Sequence, residues 1–183
     1  MKACLDACVL YPTVLREILI GVARAGLYAP LWSPRILEEW ARATAKLGPV
    51  AETLARAEVT RLRADWPLAE VLVPDGLERR LWLPDPNDIH VLAAAIAGGA
   101  DVIVTFNAAD FPRGLLAEEG IARQDPDAFL LALHDRAPCA IEGVCEAVRA
   151  EAERLSGEAQ PLRALLKRAR LPRLAKRLAA RID

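Results

Sequence analysis

The apolar positions of the chain fall into short clusters and longer helical stripes. Ala3 to Val9 is almost wholly apolar and reads as a buried strand broken by one charge, Asp6. Pro12 then opens a helical stretch to about Ala25, with Leu15, Ile18, Leu19 and Val22 on one stripe. Leu27–Leu31 is a short strand candidate, and Ser33-Pro34 is an N-cap and N1 pair starting a helix to about Leu47. Gly48-Pro49 breaks that helix, and another runs to about Asp65. Val71–Val73 is a brief apolar run between prolines. Asp85-Pro86 caps a helix from about Asn87 to Ala97 that ends at Gly98-Gly99. Asp101–Thr105 is the clearest buried strand, and Ile121-Ala122 is a weaker one. Helices follow from Pro126, near Cys139 and from Pro161.

Strands alternating with helices predict an α/β fold, a three-layer sandwich with a central parallel sheet flanked by helices. The expected division is one domain over 1–136 and a helical C-terminal extension over 137–183 that carries a basic tail.

Composition supports this reading. Of 183 residues, 54% are hydrophobic and 27% charged, which suits a chain with a packed core rather than a disordered one. No apolar run approaches the roughly 20 residues of a membrane span, and the N-terminal stretch carries Asp6, so no signal peptide or membrane association is expected and the expected location is cytoplasmic. Cys4, Cys8, Cys139 and Cys145 lack zinc-site spacing and are expected to be buried reduced thiols. The net charge is −1, yet Arg163, Lys167, Arg168, Arg170, Arg173, Lys176, Arg177 and Arg181 are opposed only by Asp183. That run is either a local footprint for a polyanion or a solvated helix face, and the exposed Leu162, Leu165, Leu166 and Leu171 of the same extension leave three roles open: to bind a partner, to complete a dimer, or to cover the sheet.

In an open parallel sheet, ligands bind beyond the carboxyl ends of the strands. Asp6 ends the first strand in wholly apolar company, where a carboxylate needs a cap, an ion pair or a metal. Thr105-Phe106-Asn107, with Asp110 beyond, ends the clearest strand, although Asx residues also make turns. Asp85 is accounted for as an N-cap. Asp88 stands near the buried stripe of its helix, and His90 is expected at a surface or edge. Glu38, between Arg35 and Arg42, has the pattern of a solvated face. Glu39 aligns with Ile36 and Ala43 and is the better inward carboxylate.

Four segments occur in order: Leu5-Asp6-Ala7-Cys8-Val9-Leu10, Ser33-Pro34-Arg-Ile-Leu-Glu-Glu39, Asp85-Pro-Asn-Asp88-Ile-His-Val-Leu-Ala-Ala-Ala95, and Gly99-Ala-Asp-Val-Ile-Val-Thr105-Phe-Asn107-Ala-Ala-Asp110-Phe-Pro112. Together they resemble the PIN-domain nucleases over residues 1 to about 135, most closely the toxin-like branch of bacterial toxin–antitoxin systems. The resemblance implies a metal-dependent endoribonuclease using Mg²⁺ or Mn²⁺, acting on RNA and paired with an antitoxin protein. A homodimer is also implied. It maps the catalytic set onto Asp6, Glu39, Asp88 and Asn107, metal ligation onto Asp6, Asp88, Glu39 and Asp110, and substrate positioning onto Thr105. Carboxylate oxygens suit hard cations, which agrees with that assignment. The family often has Asp where this chain has Asn107, which puts a second metal in doubt and keeps open a catalytically weakened RNA-binding or scaffold module. A receiver- or phosphatase-type phosphotransferase fits poorly, because position 8 is Cys and no Lys lies between Lys46 and Lys167.

Overall fold

A computed structural model describes residues 1–180, apart from the side chain of Pro49. Arg181 of the basic run and Asp183 lie outside the described residues. The strands are β1 (Lys2–Leu5), β2 (Ala29–Leu31), β3 (Val102–Val104) and β4 (Ala122–Gln124). The α-helices are α1 (Ala7–Leu10), α2 (Thr13–Arg24), α3 (Pro34–Ala43), α4 (Pro49–Asp65), α5 (Ile89–Gly98), α6 (Arg113–Glu118), α7 (Pro126–Arg136), α8 (Pro138–Ser156), α9 (Leu162–Arg168) and α10 (Pro172–Ala179). Tight 3₁₀ turns at Thr44–Leu47, Glu78–Arg80 and Pro86–Asp88 complete the described elements. The protein is the α/β sandwich expected from the sequence, with a parallel sheet, flanking helices and a helical C-terminal region.

By proximity, the described chain forms two compact units. One comprises Met1–Tyr11 and Ala29–Gln124; the other comprises Pro12–Tyr28 and the chain from Asp125.

The first unit holds the sheet, in the order β2-β1-β3-β4 with every pair parallel. From β1 the chain goes to a neighbour on one side and then crosses to the other. The strand order therefore reverses between β1 and β3, the crevice where open α/β sheets bind ligands. The register pairs Leu5 with Val104, so the residues that follow, Asp6 and Thr105, emerge side by side. The core around the sheet is built from fully buried Leu5, Trp32, Ile36, Leu37, Trp40, Val91 and Ile103. Ser33 caps α3 as expected, its hydroxyl accepting from the Ile36 N–H at 3.2 Å. Gly98 and Gly99 are favoured for different reasons. A Cβ at Gly98 would meet Leu31 Cδ1 at 2.7 Å, whereas Gly99 ends α5 at φ +63°.

Two local expectations change, the extent of the first strand and the burial of Cys139. The first strand ends at Leu5, and Ala7–Val9 turn into α1 instead of extending it. Short apolar runs do not distinguish strand from buried helix by composition. Beside the Val71–Val73 apolar run, one isolated bridge joins Trp32 and Glu70. Cys139 is exposed, while Cys4 and Cys145 are buried and Cys8 half-buried, all as free thiols.

In the second unit, α2 and α8 approach closely enough that a Cβ at Gly21 would meet Val144 Cγ1 at 2.7 Å. Tyr28 and Phe129 meet edge to face with centroids 5.0 Å apart. Leu165, Leu166 and Leu171 are buried here within the chain, not exposed, so of the roles open to them a covering one fits. Their spacing marked an apolar side correctly but could not tell whether the same chain covers it. Asp127 caps α10, accepting from the Arg173 and Leu174 N–H groups at 2.8 and 3.0 Å. Arg173 also pairs with Asp125 and Asp127, and Arg177 with Asp135, so part of the basic run is neutralised within the unit.

Candidate metal centre

Asp6 stands directly after β1, and its N–H continues the ladder by donating to the Val104 carbonyl at 3.2 Å. The residue is 7% exposed. It occupies the N-cap position of α1 but its side chain makes no capping bond. Its carboxylate instead accepts from the Thr105 hydroxyl at 2.6 Å and the Cys8 thiol at 3.1 Å. Among the described residues no cation pairs with it. Burial and the Asp6 charge push the Cys8 thiol up to about 12, so it remains a donor at neutral pH. The Phe106 N–H in turn donates to the Cys8 sulfur at 3.3 Å.

The segment after β3 is folded onto the same network. Thr105 Oγ1 accepts the Asn107 N–H at 2.9 Å, and Asn107 Nδ2 donates to Asp88 at 2.8 Å. Asp6, Thr105, Asn107 and Asp88 thus form one chain of contacts from two strand ends to the turn before α5. That turn is set by Asp85, whose Oδ1 accepts both the backbone and side-chain N–H of Asn87 at 2.9 Å. The 3₁₀ turn over Pro86–Asp88 is a tighter start than the α-helix expected from Asn87.

Beside this network, Asp85, Asp88 and Asp110 each place one carboxylate oxygen within 4.8 Å of the others, and all three are half-buried. Oxygens on opposite sides of a divalent cation at ~2.1–2.5 Å are ~4–5 Å apart, so the spacing suits such an ion. Burial first, then the charges of Asp6, Asp85 and Asp110, push Asp88 up to about 6, against a smaller opposing effect of His90. Crowded carboxylates sharing a site resist joint ionisation, and a cation relieves that repulsion. The all-oxygen donor set and this repulsion fit a hard divalent ion.

The remaining expected site residue is placed differently. Glu39 is 40% exposed, with Oε1 2.8 Å from His90 Nε2 and 3.7 Å from Arg35 Nε. Neither it nor Asp6, likewise expected as a metal ligand, is among the three clustered acids. His90 is 1% exposed, not at the surface or edge expected of it. The burial of α5 on most of its circumference carries His90 inward with Val91, Leu92 and Ala93. Glu38 pairs with Arg42 and Arg56, as its flanking charges indicated.

Two residues join this arrangement beyond those the sequence indicates. Capping accounts for Asp85 in the sequence, but a cap uses one oxygen and leaves the other free. The apolar neighbours of Cys8 mark a core thiol, but the one-turn helix α1 returns it to Asp6 at the strand end.

The strand-switch crevice, the Asp6 network and the acidic trio are found in a chain that belongs to the PIN-domain family, whose model matches residues 2–109. Asp110 lies just beyond that match. PIN domains are generally nucleases, acting on nucleic acid and commonly using divalent metals. Comparisons with curated proteins and with solved structures each gave no match. No helix among the described residues is long and apolar enough to cross a membrane.

Proposed function

We propose that this chain is a metal-dependent endoribonuclease and the toxin of a toxin–antitoxin pair. The observation that carries the nuclease reading is the convergence of Asp85, Asp88 and Asp110 on one point, with Asp88 pushed up to about 6 by burial and its neighbours' charge. Asp88 and Asp110, with Asp85, would hold Mg²⁺ or Mn²⁺. When bound, the ion would neutralise the carboxylates toward a phosphate and make water a stronger nucleophile.

Asp6 accepts from Thr105 and Cys8 on one carboxylate oxygen, Oδ2, leaving Oδ1 for the ion or for a proton of the attacking water. Thr105 positions Asp6 and the Asn107 backbone together. Asn107 orients Asp88 through its amide. Glu39 is assigned to the outer edge of the site, held by His90 and Arg35. The toxin role, the antitoxin and the homodimer rest on the likeness of the four segments to the toxin-like branch; the cytoplasmic location rests on the short, charge-interrupted apolar runs of the sequence.

One observation favours a second reading, an RNA-binding module without cleavage: Asn107 gives the site an amide donor in place of another carboxylate. End-labelled single-stranded RNA incubated with Mg²⁺, Mn²⁺ or EDTA, beside Asp6→Asn, separates the two. Metal-dependent cleavage lost in the variant supports the nuclease. Metal-dependent RNA binding without cleavage supports the module.

A further inference from the structure

Trp82 is 67% exposed, whereas Trp32 and Trp40 are buried and Trp66 is half-buried. Leu81 has an extended backbone, in which successive side chains point to opposite sides. Next to Trp82, which is exposed, Leu83 is buried at 1%. The strip is also tied down at both ends. Arg80 grips Glu119 through two bonds of 2.7 and 3.1 Å, and Asp85 caps the following turn. Pro84 and Pro86 restrict the backbone between and beyond.

This held tryptophan lies three residues before Asp85, so their Cα atoms are at most ~11 Å apart. Arg79, on its other side, is exposed and has no ion-pair partner among the described residues. A free cation, an outward aromatic ring and an acidic centre thus follow one another along a short strip. A protein-docking tryptophan sits at the centre of an apolar patch. Trp82 instead has Arg79, Arg80 and Asp85 close by in the chain. A polyanion bearing planar bases suits those surroundings better.

We propose that Trp82 is a substrate-positioning residue: a platform on which an unpaired base of the RNA stacks, one or two nucleotides from the cleaved bond. The proposal rests on the nuclease reading above. Stacking on aromatic side chains tolerates any base but requires that the base be free of a duplex.

The test is steady-state cleavage in Mg²⁺ of one end-labelled RNA, single-stranded and annealed to its complement, by wild type, Trp82→Phe and Trp82→Ala. Thermal melting confirms that each variant is folded. The expected result is a KM for the single strand raised roughly ten-fold in Trp82→Ala with kcat little changed. Trp82→Phe should retain most of the affinity, and the duplex should be cut at least ten-fold less well by wild type. Added RNA should quench the fluorescence of wild type but not of Trp82→Phe. A wild-type KM in Trp82→Ala, or equal cleavage of the duplex, overturns the stacking role while leaving the nuclease intact. A change in oligomeric state of Trp82→Ala with an unchanged KM reassigns Trp82 to a protein contact and also overturns it. Wild type that cuts neither RNA overturns the nuclease reading itself, and the stacking role with it.

Discussion

The Thr105 hydroxyl donates to the Asp6 carboxylate across 2.6 Å, joining residues that follow β1 and β3. The same oxygen accepts the Asn107 N–H at 2.9 Å, so one hydroxyl orders both a carboxylate and the turn carrying Asn107. This is possible because the parallel register sets Leu5 against Val104, bringing the next residue of each strand together.

Replacing that hydroxyl tests the relationship. Thr105→Val keeps the shape but leaves Asp6 and the Asn107 N–H each short of a partner. A hydrogen bond to a charged group is worth ~1.5–3 kcal/mol, so a loss of ~2 kcal/mol is expected. Chemical denaturation should show the midpoint fall with an unchanged slope, and Thr105→Ser should restore most of it. Equal stabilities for Val and wild type would remove the hydroxyl from this role.

Asp88 imposes a pH dependence on the metal-free protein. Its folded carboxyl titrates at about 6, above the ordinary 3.8, so the folded state binds the proton more tightly than the unfolded one. Its contribution to stability is therefore complete below 3.8 and is lost as pH rises through about 6. Solvent screening limits the effect to ~1 kcal/mol. Asp88→Asn should flatten that part of the pH profile and raise the metal-free melting temperature at pH 7, while abolishing stabilisation by Mg²⁺. A variant whose profile follows wild type would show that the repulsion is not at Asp88.

Asp85 has a capping role and a charge, and two substitutions separate them. Asn can still accept the Asn87 N–H through its side-chain oxygen, so Asp85→Asn should keep the stability of the metal-free fold. Asp85→Ala should lose ~1 kcal/mol with the cap. Both should weaken divalent-ion binding, measured by calorimetry, because both remove a carboxylate. Normal binding by Asp85→Asn would confine Asp85 to capping.

At Asn107 the expected signs oppose each other. Asn107→Asp replaces a donor to Asp88 with a second charge, so the metal-free protein should lose ~1–2 kcal/mol. The added carboxylate should tighten Mn²⁺ binding, since oxygen-site affinity rises with ligand charge. Thermal melts with EDTA and with Mn²⁺ should show the variant below wild type in the first and gaining more than wild type in the second. A smaller gain would indicate that the amide is itself the preferred group.

Much of the fold was legible because its cues are local. The Ser33-Pro34 and Gly98-Gly99 boundaries, the Asp101–Thr105 apolar run and the helices after Pro12 and Pro49 depend on neighbours a few residues away. Asp6 and Asp88 were legible for a similar reason, as carboxylates in conspicuously apolar or helix-starting company. His90 was not, because its burial depends on how much of the circumference of α5 is covered. Nor was the burial of Leu165, Leu166 and Leu171, since an apolar stripe has the same spacing whether its own chain or another covers it.

Local chemistry thus determined, from the sequence by itself, the alternation of strands and helices, their caps, and the few acids placed where water is scarce. Only the tertiary structure decided which acids meet. Asp110 joins Asp85 and Asp88, Glu39 turns to His90, and Thr105 reaches Asp6. Those pairings depend on strand order, register and the path of the connecting segments, which bring distant residues within a few ångströms and which no local spacing encodes.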